Sequence, residues 1–113
     1  TMNPIGPVQR QLDAYNARDL AAFVAQYADD VQVYRLPGTQ PTISGKAALA
    51  EHYAKNRFNL PSLHAALVAR MAFGNKVIDH ELITGIAAEP VHAAAIYEVR
   101  GGLISTVWFV NPA

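Results

Sequence analysis

The chain has no cysteine and little charge for its length. Without cysteine among its 113 residues, disulfides, thiolate nucleophiles and cysteine-based metal sites are excluded. Only 16% of the residues are charged, nine basic against nine acidic, and no long run of Lys or Arg is present to attract phosphates. We therefore expect no nucleic-acid partner.

Long apolar runs are also missing. No segment approaches the ~20 consecutive apolar residues that a membrane-spanning helix needs. The first residues do not show a basic region followed by an apolar one, the pattern of a secretory signal. We expect no membrane partner and a cytoplasmic location.

Hydrophobic residues, in contrast, make up 51% of the chain. A single domain spanning residues 1–113 can bury only roughly 60–70% of the surface of its unfolded chain. Much apolar surface must then remain outside the core, which favours a ligand cavity, a subunit interface or both. We expect a homodimer.

The N-terminal half has the pattern of three helices around one short strand. Apolar residues three and four positions apart predict a helix over 7–17. Asp19 is placed to cap a second helix that runs to Tyr27, and Ser44 to cap a third over 46–57. Residues 31–34 alternate as a strand.

The C-terminal half has the pattern of an antiparallel meander. The pair Gly74-Asn75 is typical of a two-residue hairpin loop, which fixes the register of strands 62–73 and 76–86. This register pairs Arg70 with Asp79 on a charged face. The remaining cross-strand pairs that it predicts are Val68 with Glu81, Ala69 with His80 and Leu67 with Leu82.

The apolar face of this hairpin carries His80, and we expect it to line the concave side of the sheet, with Asp79 and Glu81 facing away. The same reasoning around Gly101-Gly102 pairs Ala95 with Trp108. Helices followed by a meander predict an α+β fold in which a curved sheet wraps around the helices.

Five stretches of the chain carry a family resemblance: Tyr15-Asn16-Ala17-Arg18-Asp19, Tyr27-Ala28-Asp29-Asp30-Val31, Ser44-Gly45-Lys46, Val77-Ile78-Asp79-His80-Glu81, and Ile96-Tyr97-Glu98-Val99 through Val107-Trp108-Phe109. They resemble the nuclear transport factor 2-like (NTF2-like) superfamily, in particular its bacterial SnoaL-like, ketosteroid isomerase-like branch. The resemblance implies a cone-shaped domain with three N-terminal helices packed on a curved mixed or antiparallel sheet. It also implies an apolar pocket at the open end and a dimer formed through the sheet.

The resemblance does not imply the chemistry of ketosteroid isomerase. That enzyme needs an Asp base, a Tyr and a protonated Asp. Alignment on the second stretch places Arg35, then Gln11 or Leu12, and Ala95 at these positions, so proton abstraction by that mechanism is not expected.

Limonene-epoxide hydrolase, another relative implied by the resemblance, uses an Asp-Arg-Asp arrangement to activate water. Arg70, Asp79 and Glu81 offer the same residue types. The alternative is an ordinary ion pair, which contributes about 0–1 kcal/mol when exposed to solvent.

His80 is the candidate catalytic residue, because an imidazole in an apolar cavity can act as an acid or a base; the alternative is a neutral core histidine. Arg35 follows strand one and either points a cation into the cavity, favouring an anionic or carbonyl-bearing ligand, or turns to solvent. The aromatic candidates for ligand binding, which have a core role as their alternative, are Tyr15, Tyr34, Tyr97 and Trp108. The four dispersed histidines predict no metal site, and no cofactor motif is present.

Three functions remain open from the sequence. The first is a protein that binds a hydrophobic small molecule in an apolar pocket. The second is a cofactor-independent isomerase, lyase or hydrolase that acts on a hydrophobic carbonyl compound. The third is a structural or partner-binding module.

Overall fold

A computed structural model describes residues 3–110 of the chain. Three helices and six strands follow one another in the order α1 (Ile5–Ala17), α2 (Leu20–Val24), β1 (Tyr27–Leu36), β2 (Ile43–Ser44), α3 (Lys46–Asn56), β3 (His64–Phe73), β4 (Lys76–Thr84), β5 (Val91–Arg100) and β6 (Leu103–Val110).

The first two helices form a hairpin around a tight turn. Arg18 ends α1 in a left-handed conformation with φ 53°, a backbone geometry common at helix C-termini. The predicted cap of α2 is confirmed, because the Asp19 side chain accepts the Ala22 N–H at 3.1 Å. The predicted end of α2 is wrong: the helix stops at Val24, and Tyr27 begins β1 instead.

The third helix begins where the sequence predicts, but its cap is different. Gly45, with φ 89°, is the N-cap residue and offers no side chain. Ser44 donates instead to the side chain of Gln32 at 2.9 Å, which joins β2 to β1. Helix α3 packs on the core through Leu49, which is buried.

The six strands form one mixed sheet in the order β2-β1-β6-β5-β4-β3. The predicted antiparallel meander is present from β3 to β6, and β2 is antiparallel to β1. The sheet is mixed because β1 lies parallel to β6. The fold is therefore α+β, with a curved sheet whose one face is covered by helices.

The register of the β3–β4 hairpin is confirmed near its loop and wrong beyond a bulge. Arg70 pairs with Asp79, as predicted. The ladder then shifts at Val68, so that Leu67 rather than Val68 faces Glu81. A bulge inserts one unpaired residue and bends the strand, which a sequence pattern read from the loop does not show.

A second bulge displaces β6. The ladder between β5 and β6 shifts near Ser105, and Trp108 pairs with Ile96 instead of the predicted Ala95. Because side chains alternate along a strand, this shift of one residue moves Trp108 to the opposite face.

The two faces of the sheet are reversed relative to the prediction for β4. We call the helix-covered face the inner face; it carries Val33, Arg35, Val77, Asp79, Glu81, Ala95, Tyr97 and Val107. The outer face carries Gln32, Tyr34, Met71, Ile78, His80, Ile96 and Trp108. Asp79 is 0% exposed and Glu81 9% exposed, so the expectation that they face away from the helices is wrong.

The inner face tolerates a buried carboxylate because Asp79 is fully paired. The Arg70 guanidinium donates to both oxygens of Asp79, at 2.7 and 3.0 Å, and to the Gln9 side chain of α1 at 2.7 Å. Such bidentate, charge-assisted hydrogen bonds offset the desolvation of a carboxylate. They also link the edge hairpin to α1.

The remaining core is apolar and lies between the helices and the inner face. Its fully buried members include Val8, Phe23, Leu49, Leu63, Val77 and Ile104. Within residues 3–110 no helix has both the length and the apolar character needed to cross a membrane.

Replacement of Arg70 by Met should destabilise the fold by about 3–5 kcal/mol, because it leaves the Asp79 carboxylate buried without a partner. Urea unfolding measures this loss. The double variant Arg70→Met/Asp79→Leu should recover most of it, since both charges are then absent. As a control, Lys55→Met breaks the exposed pair with Glu51 and should change stability by about 0.5 kcal/mol or less. An Arg70→Met variant as stable as the control would contradict the assignment.

Candidate ligand cavity

A cavity of about 220 Å³ lies between the helices and the inner face of the sheet. Its apolar walls include Leu12, Phe23, Val33, Ile83 and Phe109. Its polar walls are formed by Gln11, Tyr15, Arg35, His52, Tyr53, Arg57, Glu81 and Tyr97, together with Thr42 and His92. Small-molecule sites usually combine apolar walls with convergent polar groups, and this cavity has both.

The structure brings three of the six predicted site residues to this cavity. Tyr15 and Tyr97 are buried in its walls, and Arg35 lines it from the exposed end of β1. Arg35 both lines the cavity and is exposed to solvent, with its guanidinium carbon 5.1 Å from the centre of the Phe109 ring.

His80 does not line the cavity, and its predicted orientation is wrong. It alternates along β4 with Asp79 and Glu81, which point inward, so its ring lies on the outer face. There its Nε2 atom lies 2.9 Å from Nδ1 of His92. The predicted pairing of His80 with Ala69 is confirmed, and only the expectation that the more apolar face of β4 is the inner one is wrong.

Tyr34 and Trp108 also lie on the outer face rather than in the cavity. They are cross-strand partners on β1 and β6, and their rings stack with centroids 6.2 Å apart and an interplanar angle of 17°. The bulge near Ser105 explains the position of Trp108.

Glu81 is the most unusual polar group in the cavity. Its side chain is buried, and its Oε2 atom has no hydrogen-bond partner within residues 3–110. Burial, followed by the nearby charge of Asp79, raises the pKa of the Glu81 carboxyl from 4.5 to about 7, although Arg70 opposes the change. Glu81 therefore gains or loses its proton near neutral pH rather than near pH 4.5.

A hydrogen-bonded chain of side chains joins the helix α1 to the sheet beside Glu81. The Tyr27 hydroxyl donates to Oε1 of Gln11 at 3.0 Å, and Nε2 of Gln11 donates to the Tyr97 hydroxyl at 3.4 Å. All three residues are buried. Burial raises the pKa of both Tyr27 and Tyr97, so these phenols are neutral at physiological pH.

An aromatic cluster contributes Tyr15, Phe23 and Tyr53 to the cavity wall. It consists of Tyr15, Phe23, Tyr27, Tyr53 and Phe58, with ring centroids between 4.7 and 6.4 Å apart. Burial also raises the pKa of Tyr53 to about 12. The cluster thus provides apolar area and neutral hydroxyl groups.

Cationic groups lie at one side of the same cavity. Arg35 at the end of β1, and Arg57 directly after α3, both line it together with His52. Burial, followed by the positive charges of Arg57 and Arg35, lowers the pKa of His52. At neutral pH the imidazole is therefore predominantly uncharged.

Several cavity residues were not predicted from the sequence: Gln11, His52, Tyr53, Arg57 and Glu81. The sequence contains one signal for the inward position of Glu81. On β5, an apolar face is formed by the alternating residues Ala93, Ala95, Tyr97 and Val99. Pairing that face with Asp79 and Glu81 places both carboxylates on the inner side of the sheet. The pairing of β4 with β5 cannot be predicted from the sequence, because the six-residue connection over 85–90 is irregular and does not fix their register.

The cavity can perform two kinds of chemistry. Its neutral phenols and the protonated form of Glu81 donate hydrogen bonds to a carbonyl or hydroxyl oxygen. The ionised form of Glu81 can accept a proton, because a group that titrates near neutral pH is suited to both roles. Among residues 3–110 no three His, Asp or Glu side chains lie together in a way that would hold a metal ion.

A curved mixed sheet covered by helices on one face, with a polar and aromatic cavity between them, defines a class of α+β proteins in which the cavity, not the fold, determines function. Residues 8–107 match the SnoaL-like domain family. The chain therefore belongs to the SnoaL-like family, as the sequence predicted.

Solved structures with low sequence identity share this fold. An uncharacterized cystatin-fold protein of Novosphingobium aromaticivorans is 24% identical, with 98% of this chain and 100% of that chain covered and a TM-score of 0.88. A computationally designed 17-OHP binder is 16% identical, with 96% and 91% covered and a TM-score of 0.81. A protein of Catenulispora acidiphila with a ketosteroid isomerase-like fold, in complex with trimethylamine, is 17% identical, with 92% and 83% covered and a TM-score of 0.73.

Replacement of Glu81 by Gln should change how stability depends on pH. The folded state holds the Glu81 proton up to about pH 7, whereas the unfolded state releases it near 4.5. The free energy of unfolding should therefore fall by on the order of 3 kcal/mol as the pH rises from 4.5 to above 7. This fall should be absent from Glu81→Gln and retained in Glu89→Gln, which alters an exposed carboxyl. Parallel stability curves for wild type and Glu81→Gln would show that Glu81 titrates normally.

Proposed function

We propose that this protein binds a small hydrophobic molecule in the cavity, with the polar group of that molecule placed against Glu81. The observation that carries the proposal is the buried Glu81 carboxyl, whose Oε2 atom has no partner within residues 3–110. A buried polar atom without a partner costs about 1–3 kcal/mol. A ligand that supplies the missing hydrogen bond recovers this cost.

The composition of the cavity supports a ligand with a hydrophobic body. Apolar and aromatic side chains form much of its wall, and Tyr15 and Tyr97 place hydroxyl-bearing rings there. We assign ligand contacts to Tyr15, Arg35 and Tyr97, in keeping with the sequence prediction. Tyr34, Trp108 and His80 are not assigned to this site, because they lie on the outer face.

The size of the cavity supports a small ligand. Sites for drug-sized molecules enclose roughly 300–1,000 Å³, and this cavity is about 220 Å³. A compound with one substituted aromatic ring, or a branched aliphatic chain of similar volume, suits it better than a larger ring system.

Ligand binding should depend on Glu81 and not on His80. In a ligand-observed NMR screen of phenols, aryl ketones and arylamides, we expect compounds that bind the wild type to bind Glu81→Leu at least ~10-fold more weakly, the effect of one lost hydrogen bond to a carboxyl group. The matched control His80→Leu makes the same kind of substitution one position away on the outer face, and should bind them unchanged. Equal loss in both variants would refute the proposed function, and so would a screen without any binding compound if small carboxylic acids and their amides also fail to bind.

A second candidate function is cofactor-independent acid–base catalysis on a carbonyl compound. It is favoured by one observation, the pKa of about 7 for Glu81, which lets the same carboxyl remove and return a proton. Tyr97, neutral and buried in the same cavity, is placed to polarise an oxygen of the substrate. Solvent deuterium exchange at the carbon beside the carbonyl of a bound ketone, lost in Glu81→Gln, would distinguish catalysis from binding.

We also propose that two copies of the chain associate through the outer face. Large apolar side chains are exposed there, Met71 by 56% and Phe73 by 73%, and Ile78 and Ile96 continue the cross-strand row from Met71 to the stacked Tyr34 and Trp108. Contiguous apolar surface of this kind is typical of an interface. Stable interfaces bury about 1,200–2,000 Å² in total, which a six-stranded sheet face can supply.

Light scattering at micromolar concentration should give the mass of a dimer for the wild type. Ile96→Asp should give a monomer, because it places a charge at the centre of the outer face, between Ile78 and Trp108. Ala47→Asp, on the exposed side of α3, is the matched control and should stay dimeric. A monomeric wild type would refute the interface.

A further inference from the structure

We infer that the ligand of this cavity is a small carboxylate, whose anionic group is held by Arg35 and Arg57 while a neutral polar group faces Glu81. This inference rests on the proposed function and specifies the chemical class of the ligand.

The two arginines come from different elements of the fold. Arg35 lies at the end of β1 on the inner face, and Arg57 follows the last residue of α3. The end of a strand and the residue after a helix thus each contribute one arginine to the lining of the same cavity. The positive charges of both arginines act to lower the pKa of His52 and the pKa of Tyr53.

In the described part of the chain, neither of these two arginines uses all of its hydrogen-bond donors on other side chains or the backbone. Within residues 3–110, neither has a carboxylate oxygen within 4.0 Å. Arg35 lies over the Phe109 ring, and Nη1 of Arg57 donates to the backbone oxygen of Asn56 at 2.8 Å. A guanidinium has five N–H donors, so both retain donors for a ligand. Arg70, in contrast, uses its donors on Asp79 and Gln9.

The wall of the cavity carries more positive than negative charge. Glu81 is the carboxylic acid among the lining residues, and below about pH 7 it is largely protonated. Two cations then face a wall with little negative charge to balance them. Such a cavity attracts an anion, and an arginine binds a carboxylate through two parallel hydrogen bonds.

The volume of the cavity limits the size of the carboxylate that it can hold. A cavity of about 220 Å³ leaves room for a single aromatic ring or a short branched chain between the two polar ends. The ligand class is therefore an arylacetic, arylpropenoic or branched aliphatic acid that carries a hydroxyl or carbonyl group at the end away from its carboxylate.

Matched pairs of acids and amides test this inference. The pairs are 4-hydroxyphenylacetate and its amide, 4-hydroxycinnamate and its amide, and 4-hydroxybenzoate and its amide, titrated into the full chain at pH 6.5 and low salt. We expect at least one acid to bind at least ~10-fold more tightly than its amide, and to weaken as salt is added.

Arginine variants locate the anionic group. Arg35→Met and Arg57→Met, each first checked by thermal unfolding, should weaken the acid at least ~10-fold and change the amide by about twofold or less. Arg100→Met, which removes an exposed arginine paired with Glu98 on the distant β5–β6 turn, should change neither. Glu81→Leu should weaken both members of a pair.

The outcomes separate this inference from the proposed function. Amides that bind as tightly as their acids, with the same loss in Glu81→Leu, would overturn the inference and leave the cavity a binding site. Acids whose affinity is unchanged in both arginine variants would also overturn it. A complete absence of binding by acids and amides alike, together with a negative NMR screen, would overturn the proposed function itself.

Discussion

The ion pair between Arg70 and Asp79 is the constraint on which the rest of the structure depends. It allows a carboxylate to be fully buried beneath α1, and so allows the more polar face of β4 to be the one that the helices cover. Because side chains alternate along a strand, the same choice places Glu81 inside and His80 outside. The chemistry of the cavity and the apolar character of the outer face both follow from it.

Glu81 differs from Asp79 in lacking such a partner. Two residues apart on one strand, Asp79 accepts two hydrogen bonds from a guanidinium, whereas Oε2 of Glu81 has none within residues 3–110. A carboxyl of this kind destabilises the fold once it ionises, and folds tolerate such costs mainly at functional sites. The contrast between the two carboxyls is the physical basis for our proposal that Glu81 faces a ligand.

The sequence was sufficient to predict the fold and insufficient to predict the site. Helix α1, the Asp19 cap and the hairpin loop at Gly74-Asn75 were recovered because each depends on local geometry. The position of Trp108 was not recovered, since a bulge at Ser105 shifts β6 by one residue. The faces of β4 were reversed, although the pairing of Asp79 and His80 with β3 was predicted correctly. Hydrophobicity also misled, because Ile78, Leu82 and Ile96 make the outer face more apolar than the inner face around Glu81. Tyr15, Arg35 and Tyr97 reached the cavity as predicted, whereas the partners supplied by α3, His52 and Arg57, depend on tertiary packing that no local pattern encodes.

The central claim is that Glu81 is an interior carboxyl that gains or loses its proton near neutral pH. Carboxyl-detected ¹³C NMR of the full chain, with the Glu81 resonance assigned by its disappearance in Glu81→Gln, measures this directly. We predict a titration midpoint at about pH 7 and a shift of that midpoint when a ligand binds. A midpoint at or below the ordinary value of 4.5 would mean that Glu81 is solvated or paired, and would contradict this account of the cavity.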